Sequence, residues 1–138
     1  MALGAQVTVF DITEDKRQDA LRLGAIKYVN VSRPAELQGL NNSLNMIINT
    51  IPSGHDPLVY LKMIRLGGEM AVLGLPPTAE TPKISTSALP NVPLVKVYVY
   101  GSNTGSVSQI QAMMDYSVEH GIYPDVEVIP VRCSDLHS

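Results

Sequence analysis

The 138-residue sequence has a single cysteine, Cys133, no tryptophan and one phenylalanine. One cysteine excludes an intrachain disulfide framework and fits a reducing, cytoplasmic setting. With so few large rings, the core has to be built from branched aliphatics, methionine and tyrosine. Charge of either sign is sparse: ten Lys and Arg stand against thirteen Asp and Glu, and the net charge is only −3. No basic stripe forms, which argues against nucleic acid as a partner. Long hydrophobic runs are missing as well. The apolar stretches fall far short of the ~20 residues that a membrane span needs. The first residues, Met-Ala-Leu-Gly-Ala, lack the basic start and apolar stretch of a signal peptide. What remains is the composition of an ordinary globule, large enough for one domain with a sizeable core.

What is present is an alternation of strand-like and helix-like segments. Val7 to Phe10 is a short β-branched run that suits a buried parallel strand. It ends in Asp11, and a charged helix start follows, with Thr13 able to cap it and Glu14 and Asp15 favoured by the helix dipole. Gly24 closes that helix and Tyr28 to Val31 reads as a second strand. Ser32 to Asn42 is polar, with Pro34 suited to the first position of a short helix. Leu44 to Ile51 gives a strand stopped by Pro52, and Asp56-Pro57 opens a helix expected to run through Ile64. Gly67-Gly68 reads as a turn before a strand from Glu69 to Leu75. A loop rich in Pro, Ser and Thr extends from Pro76 to about Pro93. Such length suggests a functional or interface-forming loop. Val95 to Tyr100 alternates cleanly and reads as a half-buried edge strand. A Gly101–Gly105 turn then leads to a helix capped by Ser106 or Ser108, with Ile110, Met113, Met114 and Val118 as its inner side, ending at Gly121. Val126 to Val131 reads as a last strand, and residues 132–138 as a polar tail after a domain spanning 1–131. Alternation of this kind argues for an α/β domain with a mostly parallel sheet.

An acid at the tip of a buried parallel strand is where doubly wound folds take the ribose hydroxyls of a dinucleotide. The glycine-rich phosphate turn belongs about 20 residues before that acid. Only five residues precede Gln6, so the acid stands without its turn. The competing reading of Asp11 is a turn aspartate that favours the following helix through its dipole. Elsewhere the chemistry-bearing residues do not converge. His55, His120 and His137 are scattered, Cys133 has no ligand-spaced partner, and Glu14 and Asp15 sit at a solvated helix start. No nucleophilic or metal-binding constellation emerges.

Several blocks together resemble the zinc-type, medium-chain alcohol dehydrogenases, most of all their cinnamyl-alcohol-dehydrogenase-like branch. They are Leu-Gly-Ala-Gln-Val-Thr-Val-Phe-Asp at 3–11, Asp-Lys-Arg at 15–17, Leu-Gly-Ala at 23–25 and Tyr-Val-Asn at 28–30. Further along come Gly-Gly at 67–68, Leu-Gly-Leu-Pro at 73–76 and Gly-Ser-Asn-Thr-Gly-Ser at 101–106. Glu-His-Gly-Ile at 119–122 and Pro-Asp-Val-Glu-Val-Ile-Pro at 124–130 complete the set. The resemblance covers the later part of the coenzyme domain. It implies an incomplete Rossmann-type, doubly wound and mostly parallel sheet that lacks the first strand and the glycine-rich turn.

By this resemblance Asp11 holds the adenosine ribose, Lys16 assists there, and Ile12 flanks the adenine. The backbone at Thr50 and Ile51 meets the cofactor at the next strand end. Leu73, Gly74 and Leu75 line the nicotinamide side, and Ser102 and Thr104 present main-chain groups to the carboxamide. The implied cofactor is NAD, with NADP open: a carboxylate accepts from both ribose hydroxyls and repels a 2′-phosphate, while Lys16 and Arg17 pull the other way. For Arg17 the expected role is a solvated helix face. The implied partner besides the dinucleotide is a second copy, joined through Val95–Tyr100 or through an exposed sheet edge. The zinc ligands of the resembled enzymes lie in segments with no counterpart in this sequence. The expectation is therefore a fragment of such an enzyme, inactive alone. The alternatives are a non-catalytic dinucleotide-binding or dimerisation module and, further off, an unrelated α/β domain such as a methyltransferase.

Overall fold

A computed structural model describes residues 3–74, 77, 97–126 and 128. The chain divides into two compact units, Met1–Asn103 and Thr104–Ser138.

In the first unit, β1 (Thr8–Asp11) leads through a turn to α1 (Arg17–Arg22), then β2 (Lys27–Asn30) and a 3₁₀ turn at Pro34–Leu37. β3 (Leu44–Asn49), α2 (Pro57–Leu61), β4 (Ile64–Val72) and β5 (Tyr98–Gly101) follow. β1 and β2 form one parallel pair, and β3, β4 and β5 form a parallel three-stranded sheet in that order. Parallel strands with α1 between β1 and β2 and α2 between β3 and β4 fit the doubly wound arrangement. Set against the order 3-2-1-4-5-6, β2 and β1 are its strands three and two, and β3, β4 and β5 its strands four, five and six. The central position between β1 and β3 is vacant, and β1 and β3 do not pair. The expected incomplete α/β sheet is what the structure shows.

The open centre explains the burial. Two apolar clusters form, one of Val29, Leu40 and Met63 with Phe10 and Leu44 against it, the other of Leu61, Ile64 and Met70 with Ile47 and Val72 against it. β2 is buried from Tyr28 to Asn30 because β1 covers its edge. β1 itself is only half-buried along its length, not fully buried as its composition suggests.

Several sequence expectations are corrected. Thr13 caps no helix: α1 starts four residues later, with Lys16 at the cap position. The intervening residues are held as a turn by the Asp11 carboxylate and by Tyr28, whose hydroxyl donates to the Thr13 carbonyl at 2.9 Å. Ile64 is the first residue of β4, not the last of a helix, because it pairs with Leu44 of β3. Gly67-Gly68 is no turn between elements. It lies inside β4 at a register irregularity, where Leu44 pairs with Ile64 but Met46 with Glu69. β5 does sit at a sheet edge among the described residues, yet Tyr98, Val99 and Tyr100 are all exposed, so the clean alternation does not translate into one buried face.

Other expectations hold. Asp56 caps α2, accepting from the Leu58 N–H at 2.9 Å, with Pro57 at the first helical position. Gly24 follows α1 with φ +100°. In the second unit, α3 (Val107–Glu119) starts at Ser106 with a full capping box: Ser106 and Gln109 each satisfy the other's backbone N–H. Gly121 lies just past its end at φ +65°. The inner side expected for α3 does not materialise, since it buries none of its residues and Met113 and Met114 are exposed. Leu75, most of the Pro76–Pro93 loop, Val95, Lys96, most of the Val126–Val131 strand and the tail with Cys133 lie outside the described residues. Among the described residues no helix is long and apolar enough to cross a membrane.

Candidate functional site

In a parallel sheet every strand delivers its last residue and the following loop to the same edge, and ligands of open α/β folds bind there. β1 ends on Asp11, and β3 on Asn49 just before Thr50 and Ile51. β4 ends just before Leu73 and Gly74, and β5 just before Ser102. All of these expected site residues therefore lie at strand carboxyl ends in the first unit. Leu75 falls outside the described residues, and Thr104 belongs to the second unit.

The end of β1 is tightly organised. Asp11 Oδ1 accepts from the backbone N–H of Ile12 at 2.6 Å and of Thr13 at 3.2 Å. Oδ2 takes neither of these bonds and stays available to a hydroxyl. Ile12 is 69% exposed. Its carbonyl accepts from Ser32 Oγ at 2.9 Å, which fixes the turn from the far side. Lys16 is exposed one turn on.

Beneath this turn lies an ionic network that the sequence reading missed. Arg17 pairs with Glu14, pairs with Glu36 at 3.1 Å, donates to the Tyr28 carbonyl at 3.0 Å, and stands 4.8 Å over the Tyr28 ring. Glu36 also accepts from the Asn30 N–H at 2.8 Å. Arg33 reaches Glu14 and Glu36, each at 3.4 Å. Arg17 is thus a half-buried hub, not the solvated helix residue expected. The Asn30 N–H and then Arg17 hold the Glu36 carboxyl below its ordinary value, and the hydrogen bond from Arg17 does the same for Glu14. Burial, and then the nearby Asp11 charge, push the Tyr28 phenol up. The local spacing Glu14–Arg17 was visible in the sequence. Glu36, nineteen residues from Arg17, was not.

At the end of β3, Asn49 is buried and does the equivalent work. Its Oδ1 accepts from the Ile51 N–H at 3.1 Å, and its Nδ2 lies 2.8 Å from His55 Nε2. His55 Nδ1 faces the Ser53 carbonyl at 2.9 Å, so Nδ1 carries the proton and Nε2 accepts from Asn49. The Asn49 carbonyl accepts from both Leu73 and Gly74, and the Ser102 N–H donates to the Val72 carbonyl, tying three strand ends together. A Cβ on Gly74 would collide with the Ile51 backbone. The sequence signal for Asn49 was there to see: a polar residue closing an otherwise apolar strand.

A cavity of about 800 Å³ occupies the vacant position between β1 and β3. Residues 5–10 form one wall and residues 43–51 the other, with Ile26, Leu40 and Tyr60. It takes in Thr50 and Ile51 but not Asp11, Ile12, Lys16, Leu73, Gly74 or Ser102. The residues expected at the adenosine and those at the ends of β4 and β5 do not line this cavity. Among the described residues no three His, Cys, Asp or Glu side chains are grouped to hold a metal ion.

Comparison with known proteins matches residues 1–119 to the zinc-binding dehydrogenase family. The chain is 34% identical over 128 residues to a probable formaldehyde dehydrogenase of Bacillus subtilis, covering 93% of this chain and 35% of that protein. Among solved structures it is similar to CAD from Helicobacter pylori complexed with NADP(H), with TM-score 0.80, 35% identity, and 93% of this chain and 35% of that one covered. It is similar also to a cinnamyl alcohol dehydrogenase of Sorghum bicolor, with TM-score 0.81, 34% identity and the same coverage, 93% and 35%. The chain therefore spans about a third of the length of the relatives it matches.

Proposed function

The chain belongs to the zinc-binding dehydrogenase family, and on that premise we propose that it is the adenosine-recognising part of an NAD(P)-dependent alcohol dehydrogenase. The observation that carries this reading is the convergence of Asp11, Thr50–Ile51, Leu73–Gly74 and Ser102 at parallel strand ends. Asp11 Oδ2 accepts from the ribose hydroxyls while Oδ1 keeps the turn rigid, and Ile12 lies against the adenine. Lys16 adds a cation at the same ribose. The backbone at Thr50 and Ile51, held by Asn49, bounds the middle of the dinucleotide, and Leu73, Gly74, Leu75, Ser102 and Thr104 orient the ring end. A bound nicotinamide dinucleotide supplies hydride acceptance from a primary alcohol, or donation to an aldehyde.

The zinc of the family finds no fitting ligands among the described residues, so no step is assigned to it here. With no metal-holding group among the described residues, the expected outcome is that the chain alone turns over no alcohol. For cofactor choice the ionic network supports NAD. Arg17 and Arg33 are already paired with Glu14 and Glu36, and Asp11 adds a further negative charge. That leaves Lys16 against the carboxylate and favours NAD over the 2′-phosphate of NADP, in contrast to the NADP(H) named for the Helicobacter pylori structure. A single cysteine and the absence of a basic surface stripe support a cytoplasmic setting without nucleic-acid partners.

The test is calorimetric titration of the chain with NAD, NADP and adenosine. Weak, saturable binding of NAD and adenosine is expected, with NADP weaker still. Asp11→Asn should lower NAD affinity about tenfold, the scale of one charge-assisted hydrogen bond. Silence with all three ligands would sink the reading. A second reading, a dimerising module without cofactor affinity, is favoured by the exposed edge strand β5 and predicts a dimer in sedimentation that Tyr100→Lys disrupts.

A further inference from the structure

His55 stands in the loop between β3 and α2, and its ring begins a chain of hydrogen bonds that ends on the backbone of Ile51. Nδ1 donates to the Ser53 carbonyl at 2.9 Å, Nε2 accepts from Asn49 Nδ2 at 2.8 Å, and Asn49 Oδ1 accepts from the Ile51 N–H at 3.1 Å. Asn49 is 6% exposed, so its amide depends on these partners and not on bulk water. Its backbone is anchored too, because its carbonyl accepts from Leu73 and Gly74. The chain of bonds works in one protonation state only. A second ring proton turns Nε2 into a donor, which then faces the donor Asn49 Nδ2. Turning the Asn49 amide over would offer Oδ1 to the ring but would set Nδ2 against the Ile51 N–H. An amide has one oxygen, so with His55 doubly protonated either the bond to the ring or the bond to Ile51 is lost.

We infer that His55 is a positioning residue of the dinucleotide site, and that its protonation loosens the Ile51 backbone and weakens the hold on the cofactor. The inference rests on the dinucleotide reading and adds to it a control by protons. Histidine is the side chain whose charge ordinarily changes between about pH 5 and 8. The groups around His55 leave that change to the ring. β3 contributes the neutral Asn49. From α2 the Tyr60 ring meets it edge-on, with centroids 6.0 Å apart, and burial pushes the Tyr60 phenol up, which keeps it neutral in that range. Asp56, the chain neighbour, has its carboxylate on the Leu58 N–H as the cap of α2. The adenosine end is organised separately. Asp11, Ser32 and Tyr28 hold the turn after β1, and none of them belongs to the chain of bonds through His55. Proton control therefore acts on the middle of the dinucleotide and spares the adenosine. His120 lies in the second unit, at the end of α3, and variants of His55 separate its proton from this one.

The test is calorimetric titration of the full chain with NAD and with adenosine at about pH 8 and about pH 5.5, beside amide exchange of the free chain. NAD should bind about fivefold more weakly at the lower pH, the scale of one net hydrogen bond, and adenosine equally at both. Protection of the Ile51 amide, corrected for the intrinsic pH dependence of exchange, should fall by about the same factor. The pH profile of the parent chain needs no substitution. His55→Leu deletes the acceptor and should bind NAD about fivefold more weakly already at the higher pH. His55→Gln offers an amide oxygen to Asn49 Nδ2 and does not titrate. It should recover most of that loss and show no fall between the two pH values. NAD bound equally at both pH values, adenosine weakened by the same factor as NAD, unchanged Ile51 protection, or a fall in His55→Gln as steep as the parent's would each overturn this role while leaving the dinucleotide reading in place. Silence toward both ligands would remove the dinucleotide reading, and this role with it.

Discussion

At the scale of single residues, the site rests on polar side chains that act on the backbone. Asp11 holds the two residues after its strand, Asn49 holds Ile51, and Glu36 reaches the Asn30 N–H while pairing with Arg17. Glu36 gives this arrangement a pH dependence. Its carboxyl is held below the ordinary value in the fold, so the stability it contributes is present above the unfolded value of about 4.3 and disappears as pH falls through the lower folded value. Urea midpoints measured at pH 6 and pH 3 should therefore drop for the parent chain and drop less for Glu36→Gln. An equal drop in both would show that the network does not sense this proton. Asp11 was legible because its position after an apolar run carries meaning by itself. Arg17 was not, because its decisive partner is brought close only when the Pro34–Leu37 turn folds against β2.

At the scale of elements, caps and punctuation were readable and pairing was not. Asp56-Pro57 and Ser106 announce helix starts through chemistry that acts within three residues. Gly67-Gly68 reads as a turn by the same local rules, yet β4 runs through it because β3 supplies hydrogen bonds on both sides of the irregularity. Gly67 takes φ +76°, and a Cβ on Gly68 would stand 2.6 Å from the Asn45 carbonyl oxygen. Gly74 is under the same kind of constraint from the Ile51 backbone, whereas a Cβ on Gly101 would meet nothing within 4 Å. Gly74→Ala should therefore cost about 1–3 kcal/mol in urea unfolding, as overpacking does. Gly101→Ala should stay within about 0.5 kcal/mol. Similar costs at the two positions would refute the close approach of the β3 and β4 ends.

At the scale of the whole molecule, the largest fully buried side chains among the described residues are Met70 and Val29. Met70, 1% exposed, sits in β4 between two paired neighbours. Met70→Ala should cost about 2–5 kcal/mol, a large share of the ~5–15 kcal/mol that holds an ordinary domain. A thermal melt that shifts by only a degree or two would contradict that placement. The sequence by itself determined the alternation of strands and helices, the caps and the acid at the end of β1, because each depends on neighbours a few residues away. Only the tertiary structure decided that β1 and β3 stay apart around an uncharged cavity, that Arg17 is shared by Glu14 and Glu36, and that Asn49 joins two strand ends. Those outcomes rest on pairings between residues distant in the chain, and no local propensity encodes which distant group arrives.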